Sequence, residues 1–196
     1  PKALIIGEDI EDSNLFTPGS YGGAFKVTKN LSNIFLNRVL NTPISEAAIV
    51  GISAGYSIMA GRTVVELMFG DFSSLIFDQV LQHVSKFELL YNGKIKCPLI
   101  IRMPMGGKRG YGPTHSQSIE KHFMGISNLV IIALNHRISP DYIFDSFSHI
   151  NNPILLIENK ILYTLEANSK PLEGYKYIYS ETLYPSLKIT PTISKP

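Results

Sequence analysis

Residues 45–68 read SEAAIVGISAGYSIMAGRTVVELM, and the pattern of apolar residues changes once within them. Apolar and small residues continue up to Ala60 without a turn signal, which predicts a helix over Ser45–Ala60. Thr63–Met68 is a short β-branched apolar run, which predicts a buried strand. A helix that leads directly into a buried strand is the repeating unit of a parallel α/β sheet.

The same alternation of short apolar runs and longer helical patterns continues in both directions along the chain. Near-continuous apolar strands are typical of a sheet that is covered by helices on both faces. We therefore predict a doubly wound α/β domain with a mainly parallel sheet. The other predicted elements are the strands Ala3–Ile6, Leu99–Met103, Leu129–Ala133 and Ile154–Ile157, and the helices Thr28–Leu36, Ser73–Tyr91, Ser116–Met124 and Pro140–His149.

The chain has 196 residues, which suits one domain with a sizeable core. Beyond Tyr163, prolines interrupt the sequence and no helical period is sustained. We predict a core domain over residues 1–164 and an irregular connector over residues 165–196, leading towards a further carboxy-terminal domain. Since the chain does not begin with Met, we expect it to be a piece of a longer protein.

Composition argues against several classes of function. The formal net charge is only +2, and no basic run with interleaved aromatic residues occurs, so neither nucleic acid nor a membrane surface is indicated as a partner. The apolar runs are too short to span a bilayer. The single cysteine, Cys97, excludes an intramolecular disulfide and a cysteine-based zinc site. We predict a cytoplasmic location, with the matrix of a mitochondrion or another organelle as the alternative.

Glu46 is a lone carboxylate at the start of the helix predicted over Ser45–Ala60. Its simplest role is structural, because Ser45 suits the N-cap position and an acidic first turn is favoured by the helix dipole. Gly51 and Gly55 in the same helix each cost on the order of 1 kcal/mol relative to alanine. We infer that something packs very close to this backbone, which would make the helix buried, with a carboxylate at its entrance.

The loops that follow the strands are the other places to look for chemistry, because ligands of such sheets bind outside the carboxyl ends of the strands. Phe72 either covers the core or offers its face to a planar ligand. The glycine-rich loop before His115 fits neither a Walker loop nor a dinucleotide fingerprint, so a loop presenting His115 is the better interpretation. A nucleophilic pair of His115 with Ser116 is disfavoured, because adjacent residues rarely face each other. The loops are Gly7–Gly23, Phe69–Phe72, Pro104–Ser116 and Glu158–Tyr163.

No metal site is predicted on this chain. Asp71 and Asp78 lack neighbours that would complete a set of ligands, so capping and surface roles are expected for them. Four further histidines have no ligand-like company and are predicted to be structural or exposed. They are His83, His122, His136 and His149.

Six stretches between Gly7 and Tyr163 together resemble the beta subunit of the thiamine-diphosphate-dependent decarboxylating component of 2-oxoacid dehydrogenase complexes. Members of that family act on pyruvate, branched-chain 2-oxoacids or acetoin. The stretches occur in the order and at close to the spacing of the family. They are GED at 7–9, GGAFKVTKNL at 22–31, RVLNTPISEAAIVG at 38–51, GDFSSLIFDQV at 70–80, GGKRGYGPTHSQS at 106–118 and NPILLIENKILY at 152–163.

The resemblance implies the pyrimidine-binding domain of a thiamine enzyme, with the thiamine-diphosphate-binding fold. It implies that Glu46 hydrogen-bonds a ring nitrogen of the cofactor's aminopyrimidine and takes part in its proton transfer. Met68 and Phe72 would line the pocket of the same ring. His115 would face the substrate, where it could stabilise an oxyanion or assist acyl transfer to a lipoyl group.

The resemblance also implies partners. The diphosphate and its Mg²⁺ are expected on an alpha-type subunit or domain, because the Gly-Asp-Gly segment that would hold them is absent from this sequence. A second beta copy, the lipoyl domain of an acyltransferase and a 2-oxoacid substrate are the other expected partners. Some members bind a monovalent cation through carbonyls of the loop before the last strand. That loop reads SFSHINNP at 146–153 here and leaves cation binding open.

The expected activity is oxidative decarboxylation of a 2-oxoacid with acyl transfer to lipoyl, in complex with the alpha-type partner. One alternative is a different thiamine enzyme, of the transketolase or deoxyxylulose-phosphate synthase type. Another is a catalytically inactive interaction subunit of the same fold. The THSQS segment favours the first interpretation over the second, and the joint presence of Glu46, Phe72 and His115 argues against the third. Residues 126–145 depart most from the family pattern, which puts local loop geometry in doubt.

Overall fold

The computed structural model describes residues 3–12, 21–168, 170–180, 182, 184 and 186–192. Its main sheet contains the strands β1 Leu4–Gly7, β2 Val39–Asn41, β3 Thr63–Glu66, β4 Leu99–Met105, β5 Val130–Ala133 and β6 Ile154–Asn159. These six strands are all parallel and lie in the order β2-β1-β3-β4-β6-β5.

Helical segments connect these strands. The α-helices of the described residues are α1 Leu31–Ile34, α2 Glu46–Met59, α3 Phe87–Leu90 and α4 Pro140–Phe147. Short 3₁₀ helices cover Gly70–Ile76, Pro113–His115, Glu120–Phe123 and Leu162–Thr164, and a π-helical segment covers Gln79–Val84. No helix in the described part of the chain is long and apolar enough to cross a membrane.

The sheet separates two hydrophobic cores, one on each face. Ile49 of α2 belongs to the core that also contains Ile101 of β4. Phe147 of α4 belongs to the other core, together with Ile100 of the same strand. Neighbouring residues of a strand point to opposite faces, so β4 contributes alternately to both cores. This arrangement confirms the predicted doubly wound α/β fold.

Three of the predicted elements differ from the structure. The helix predicted over Ser116–Met124 is wrong, because the main chain of Gln117 is engaged elsewhere. Its N–H donates to Asp71 Oδ1 at 3.0 Å and its carbonyl accepts from the N–H of Gly106 at 3.0 Å. These groups are not available for a helical ladder. Thr28–Leu36 contains only the single turn of α1, and Ser73–Tyr91 is divided into three helical segments.

A correction also applies to the segment predicted as an irregular connector. Within it, β7 Tyr175–Tyr179 and β8 Leu187–Pro191 form an antiparallel pair in which Tyr177 faces Ile189. Residues 187–190 of β8 alternate apolar and polar side chains, a period of two that the prolines obscured. Leu187 packs against the core around α4, and Tyr142 of α4 donates to the carbonyl of Ser180 at 2.6 Å.

Candidate active site

Glu46 is the first residue of α2, which begins shortly after β2 at the carboxyl edge of the sheet. Its side chain is only 7% exposed. Ser45 lies at the predicted N-cap position but makes no capping hydrogen bond with its side chain, because its backbone departs from helical cap geometry. Among the described residues, none donates a hydrogen bond to the Glu46 carboxylate. A buried carboxylate without a donor is available to an external nitrogen ligand.

Glu8 follows β1 directly and lies close enough to Glu46 to feel its charge. Burial, followed by the charges of Glu46 and Asp9, raises the pKa of Glu8 from 4.5 to about 6. A carboxyl group with such a pKa can hold or release a proton near neutral pH. The sequence stretch GED contained Glu8, but no role was predicted for it. The available signal was an acidic residue immediately after a buried strand.

Aromatic rings around Phe69 form the second part of the site. The ring of Phe69 lies 4.8 Å from the ring of His115, 5.9 Å from Phe72 and 5.1 Å from Tyr111. Phe72 and His115 are themselves 5.3 Å apart, with their rings nearly perpendicular. Phe25 closes the cluster at 5.6 Å from Phe69. The structure therefore brings together His115 and Phe72, which the sequence had singled out separately.

The turn that carries Phe69 and Phe72 lies tightly against β4. A Cβ atom added to Gly70 would come within 2.2 Å of Cγ of Met105, so only glycine fits there. Met68, which was predicted to line the pocket, is half-buried immediately before this turn. The 3₁₀ helix Gly70–Ile76 packs against α2, so Phe72 and Glu46 lie on neighbouring elements.

The glycine-rich loop after β4 carries His115. Lys108–Thr114 is exposed, whereas His115 is half-buried at its end. Nδ1 of His115 lies 2.8 Å from the hydroxyl oxygen of Thr114, rather than pairing with Ser116. Asp71 is buried and accepts hydrogen bonds from both the main-chain N–H and the side-chain amide of Gln117, each at 3.0 Å. Asp71 is therefore an internal anchor of this loop, which corrects the expected surface role.

Lys160 lies beneath the same loop and is fully buried. Its ammonium donates a hydrogen bond to the main-chain carbonyl of His115. No role for Lys160 is predicted from the sequence, because a lysine after a strand is ordinarily an exposed residue.

A buried ion cluster lies at the carboxyl ends of β3, β4 and β6. Arg102 donates from Nε and Nη2 to the two carboxylate oxygens of Glu158, at 2.8 and 2.6 Å, and from Nη1 to Glu66. Burial alone would lower the pKa of Arg102, but the charges of Glu158 and Glu66 outweigh it and raise the pKa above its ordinary value. The hydroxyl of Tyr163 donates to Glu158. This cluster joins three strands immediately below the site loops.

The remaining sequence predictions concern a metal site, four histidines and the loop before β6. Across the described ranges, no group of three or more His, Cys, Asp or Glu side chains lies close enough to hold a metal ion. The four remaining histidines are exposed, which is one of the two outcomes, structural or exposed, that the sequence predicts for them. In the loop before β6, Nη2 of Arg62 donates to the carbonyls of Ile150 at 2.9 Å and Ser148 at 3.5 Å. Residues 13–20 of the predicted loop Gly7–Gly23 lie outside the described residues.

Comparisons with known proteins show which family this chain resembles. The family model described as the pyrimidine binding domain of transketolase matches residues 1–166. The pyruvate dehydrogenase E1 component subunit beta of Gracilaria tenuistipitata var. liui is 34% identical over 166 residues, which cover 84% of this chain and 49% of that protein.

Two further curated relatives carry similar names. The corresponding subunit of Porphyra purpurea is 35% identical over 163 residues, which cover 83% of this chain and 47% of that protein. The chloroplastic subunit beta-4 of Oryza sativa subsp. japonica is 33% identical over 167 residues, which cover 85% of this chain and 40% of that protein. The chain thus spans half or less of the length of these relatives.

Proposed function

This chain belongs to the family of transketolase pyrimidine-binding domains, and on that premise we propose that it is the pyrimidine-binding half of a thiamine-diphosphate-dependent 2-oxoacid dehydrogenase. The proposed reaction is oxidative decarboxylation of a 2-oxoacid with acyl transfer to a lipoyl group. The names of the relatives as pyruvate dehydrogenase subunits support this reaction class. The observation that carries the proposal is the buried carboxylate of Glu46, which has no hydrogen-bond donor among the described residues.

The residues present fit an aminopyrimidine ring. Glu46 would hold a proton at a ring nitrogen, because its carboxylate is buried and otherwise without a donor in the described structure. Phe72 would offer an aromatic face to the flat ring, and Met68 would supply an adaptable apolar contact. Thiamine diphosphate, when bound, supplies the electron sink that allows a 2-oxoacid to lose carbon dioxide. The charge of Glu46 contributes to the raised pKa of Glu8, so the two carboxyl groups are electrostatically coupled.

His115 is proposed to act on the substrate side. Its Nδ1 is in contact with the Thr114 hydroxyl, which leaves Nε2 for a ligand. Imidazole can donate a hydrogen bond to a developing oxyanion and can move a proton near neutral pH. The edge-on rings of Phe69 and Phe72 restrict its orientation.

The exposed outward face of α2 is an argument for a partner subunit. In the described part of the chain, no atom outside the backbone of α2 lies within 4 Å of a Cβ added to Gly51 or Gly55, and the nearby Ile52 and Met59 are 64% and 84% exposed. The sequence predicts a buried helix with a close neighbour at its glycines, but among the described residues only one face of α2 is buried. We propose that an alpha-type subunit or a second beta copy covers the other face. The diphosphate, Mg²⁺ and the docking of a lipoyl domain would then depend on the assembled complex.

The proposed location is the cytoplasm or an organelle matrix. The description of some relatives as chloroplastic supports the second of these.

The test is to mix the full-length parent of this chain with candidate diphosphate-binding partners and to measure thiamine diphosphate binding and 2-oxoacid decarboxylation. We expect both activities in the complex, and we expect Glu46→Gln to lower kcat by about 10²- to 10⁴-fold, since it removes a proton-transfer group. The circular dichroism spectrum and Tm should stay unchanged in this variant. A complex that forms and binds the cofactor but turns over no 2-oxoacid would favour the inactive interaction subunit.

A further inference from the structure

The fold alone does not explain the surroundings of Lys160. It follows β6 directly, and its main-chain N–H continues the pairing of β6 with β4 by donating to the carbonyl of Met105 at 2.9 Å. Its side chain is 0% exposed. A lysine is almost never fully buried unless partners compensate for the lost hydration of its charge. The partners of its ammonium therefore indicate what it does.

Those partners all belong to the loops of the candidate site. The ammonium donates to the main-chain carbonyl of His115, and it lies 5.0 Å from the ring centre of Phe69 and 5.4 Å from that of Tyr111. Both ring distances are within the range of cation–π attraction. Burial lowers the pKa of Lys160; the charge of Asp71 opposes this shift, and the charge of Arg109 adds to it. A single buried cation thus connects the end of β6 to the turn after β3 and the loop after β4.

The loop that Lys160 holds is exposed over Lys108–Thr114, although the ring of Tyr111 contacts Phe25 and Phe69. Gly106 and Gly112 have positive φ angles that glycine adopts readily. The main chain of the loop is held at its far end, where Lys160 binds the carbonyl of His115 and Asp71 binds the amide groups of Gln117. These two anchors act together with the ring contacts of Phe69 and Phe72 to set the orientation of the imidazole.

We propose that Lys160 is a positioning residue for His115: its ammonium fixes the main-chain carbonyl of His115 and so keeps the imidazole edge-on to Phe69 and Phe72. This inference rests on the proposed function, because it assigns Lys160 to the same site. The ammonium does not have to touch the substrate. It removes freedom from a loop that would otherwise present the imidazole in several orientations, and catalytic groups lose efficiency steeply when they are misplaced.

The first experiment measures the position of the imidazole without any cofactor. In the isotopically labelled chain, nuclear Overhauser effects between the His115 ring protons and the rings of Phe69 and Phe72 report the edge-on contacts. We expect Lys160→Met to abolish them. Lys86→Met is the matched control, because the Lys86 ammonium also donates one hydrogen bond, to the Ser127 hydroxyl at 2.9 Å, but in an exposed position. Undiminished effects in folded Lys160→Met would overturn the proposal.

Lys160→Gln provides a second variant if Lys160→Met does not fold. Its uncharged amide retains much of the side-chain volume, but its donor nitrogen is one bond closer to the main chain than the ammonium of lysine. We expect the same loss of ring contacts around His115. Retained contacts in Lys160→Gln would count against the proposal in the same way.

The second experiment uses the assembled complex with its diphosphate-binding partner. We expect Lys160→Met to lower kcat by about 10- to 100-fold, because the acid–base group is misplaced. The KM for the 2-oxoacid and the affinity for thiamine diphosphate should change little, since the partners of the Lys160 ammonium are His115, Phe69 and Tyr111 rather than the residues proposed to hold the pyrimidine ring. Lys160→Arg should restore part of kcat. A purely structural role would instead lower the Tm of both variants and leave the kcat of the folded complex intact.

The two experiments separate failure of this inference from failure of the proposed function. If the wild-type complex turns over no 2-oxoacid, the proposed function fails, while the ring contacts still decide whether Lys160 positions His115. If the wild-type complex is active and Lys160→Met keeps its kcat, the inference fails and the proposed function stands.

Discussion

Glu8 is the residue whose ionisation most directly links the site to the stability of the fold. Burial, followed by the charges of Glu46 and Asp9, raises its pKa from 4.5 to about 6. The folded chain therefore binds more protons at Glu8 than the unfolded chain between these two values. By linkage, the stability that the protonated form of Glu8 contributes is fully present below pH 4.5 and is lost as pH rises through about 6.

The corresponding prediction concerns Glu8→Gln, which cannot ionise at this position. Relative to wild type, its free energy of unfolding should be larger at pH 8 than at pH 5, with the change falling between pH 4.5 and about 6. Urea unfolding at a series of pH values measures the difference. Glu173→Gln, at an exposed position, is the control and should show no such step. A stability difference for Glu8→Gln that is the same at every pH would contradict the prediction.

Arg102 is the second residue with a sharp energetic prediction. Arg102→Met leaves the carboxylates of Glu66 and Glu158 buried without their cation, and removal of one partner from a buried ion cluster costs about 3–5 kcal/mol. Thermal and urea unfolding at pH 7 measure the loss. Adding Glu66→Gln to Arg102→Met should recover part of it, because one of the uncompensated charges is then removed. A loss as small as that of an exposed ion pair, about 0–1 kcal/mol, would show that the cluster contributes little.

The sequence predicted the residues of the site that lie in short, distinctive motifs. Glu46, Met68, Phe72 and His115 were named in this way, and the structure places Phe72 and His115 in contact. The sequence does not single out Glu8 or Lys160. What sets these two residues apart is their burial and their interactions with residues that are distant along the chain. Asp71 was assigned to the surface for the same reason, since its two hydrogen bonds to Gln117 span 46 positions.

At the scale of elements, the turn after β3 depends on the absence of a side chain at Gly70. An added Cβ would lie 2.2 Å from Cγ of Met105, which is itself 1% exposed and has little room to move. We expect Gly70→Ala to destabilise the fold by about 1–3 kcal/mol, as overpacking of a filled core does. Urea unfolding measures this loss. In a Met105→Ala background, the further loss caused by Gly70→Ala should be smaller than it is in the wild-type background.

Gly55→Ala is the matched comparison. Gly55 lies within α2 with open space around its added Cβ. The same chemical change should therefore stabilise the fold, by up to about 1 kcal/mol, because alanine favours a helix more than glycine does. Equal effects of the two substitutions on the free energy of unfolding would rule out the close approach as the cause.

Five of the six strands of the main sheet could be predicted from their β-branched apolar runs. The strand β2 could not, because it has three residues and pairs with β1 alone. The helix over α2 was predicted within one residue at either end. The helix over Ser116–Met124 was not formed, because hydrogen bonds from distant residues take the main-chain groups of Gln117. Local propensity does not contain that information.

At the scale of the whole molecule, the family and the α/β fold were predicted correctly from the sequence, while the need for a partner remains a proposal. Substitutions on the outward face of α2 test the need for a partner directly. Gly55→Leu should prevent assembly with a diphosphate-binding subunit or a second copy, because it fills a surface that we propose to be covered. The Tm of the isolated chain should not fall, since a Cβ added to Gly55 meets open space among the described residues.

Analytical ultracentrifugation of the variant with its partner measures assembly directly. Asp145→Leu, on the exposed side of α4, is the control for an added surface leucine and should assemble as wild type does. Normal assembly of Gly55→Leu would show that the outward face of α2 is not the interface.

The antiparallel pair β7–β8 has a consequence for how the chain can be shortened. Leu187 and Ile189 line a cavity together with successive residues of β5, one of the two edge strands of the main sheet. A strand at the border of a sheet carries unsatisfied peptide groups that invite other chains to add to it. We expect a version trimmed to end at residue 164 to open the space beside β5 and to add strands there more readily than the longer chain, even though every residue of the proposed site would still be present.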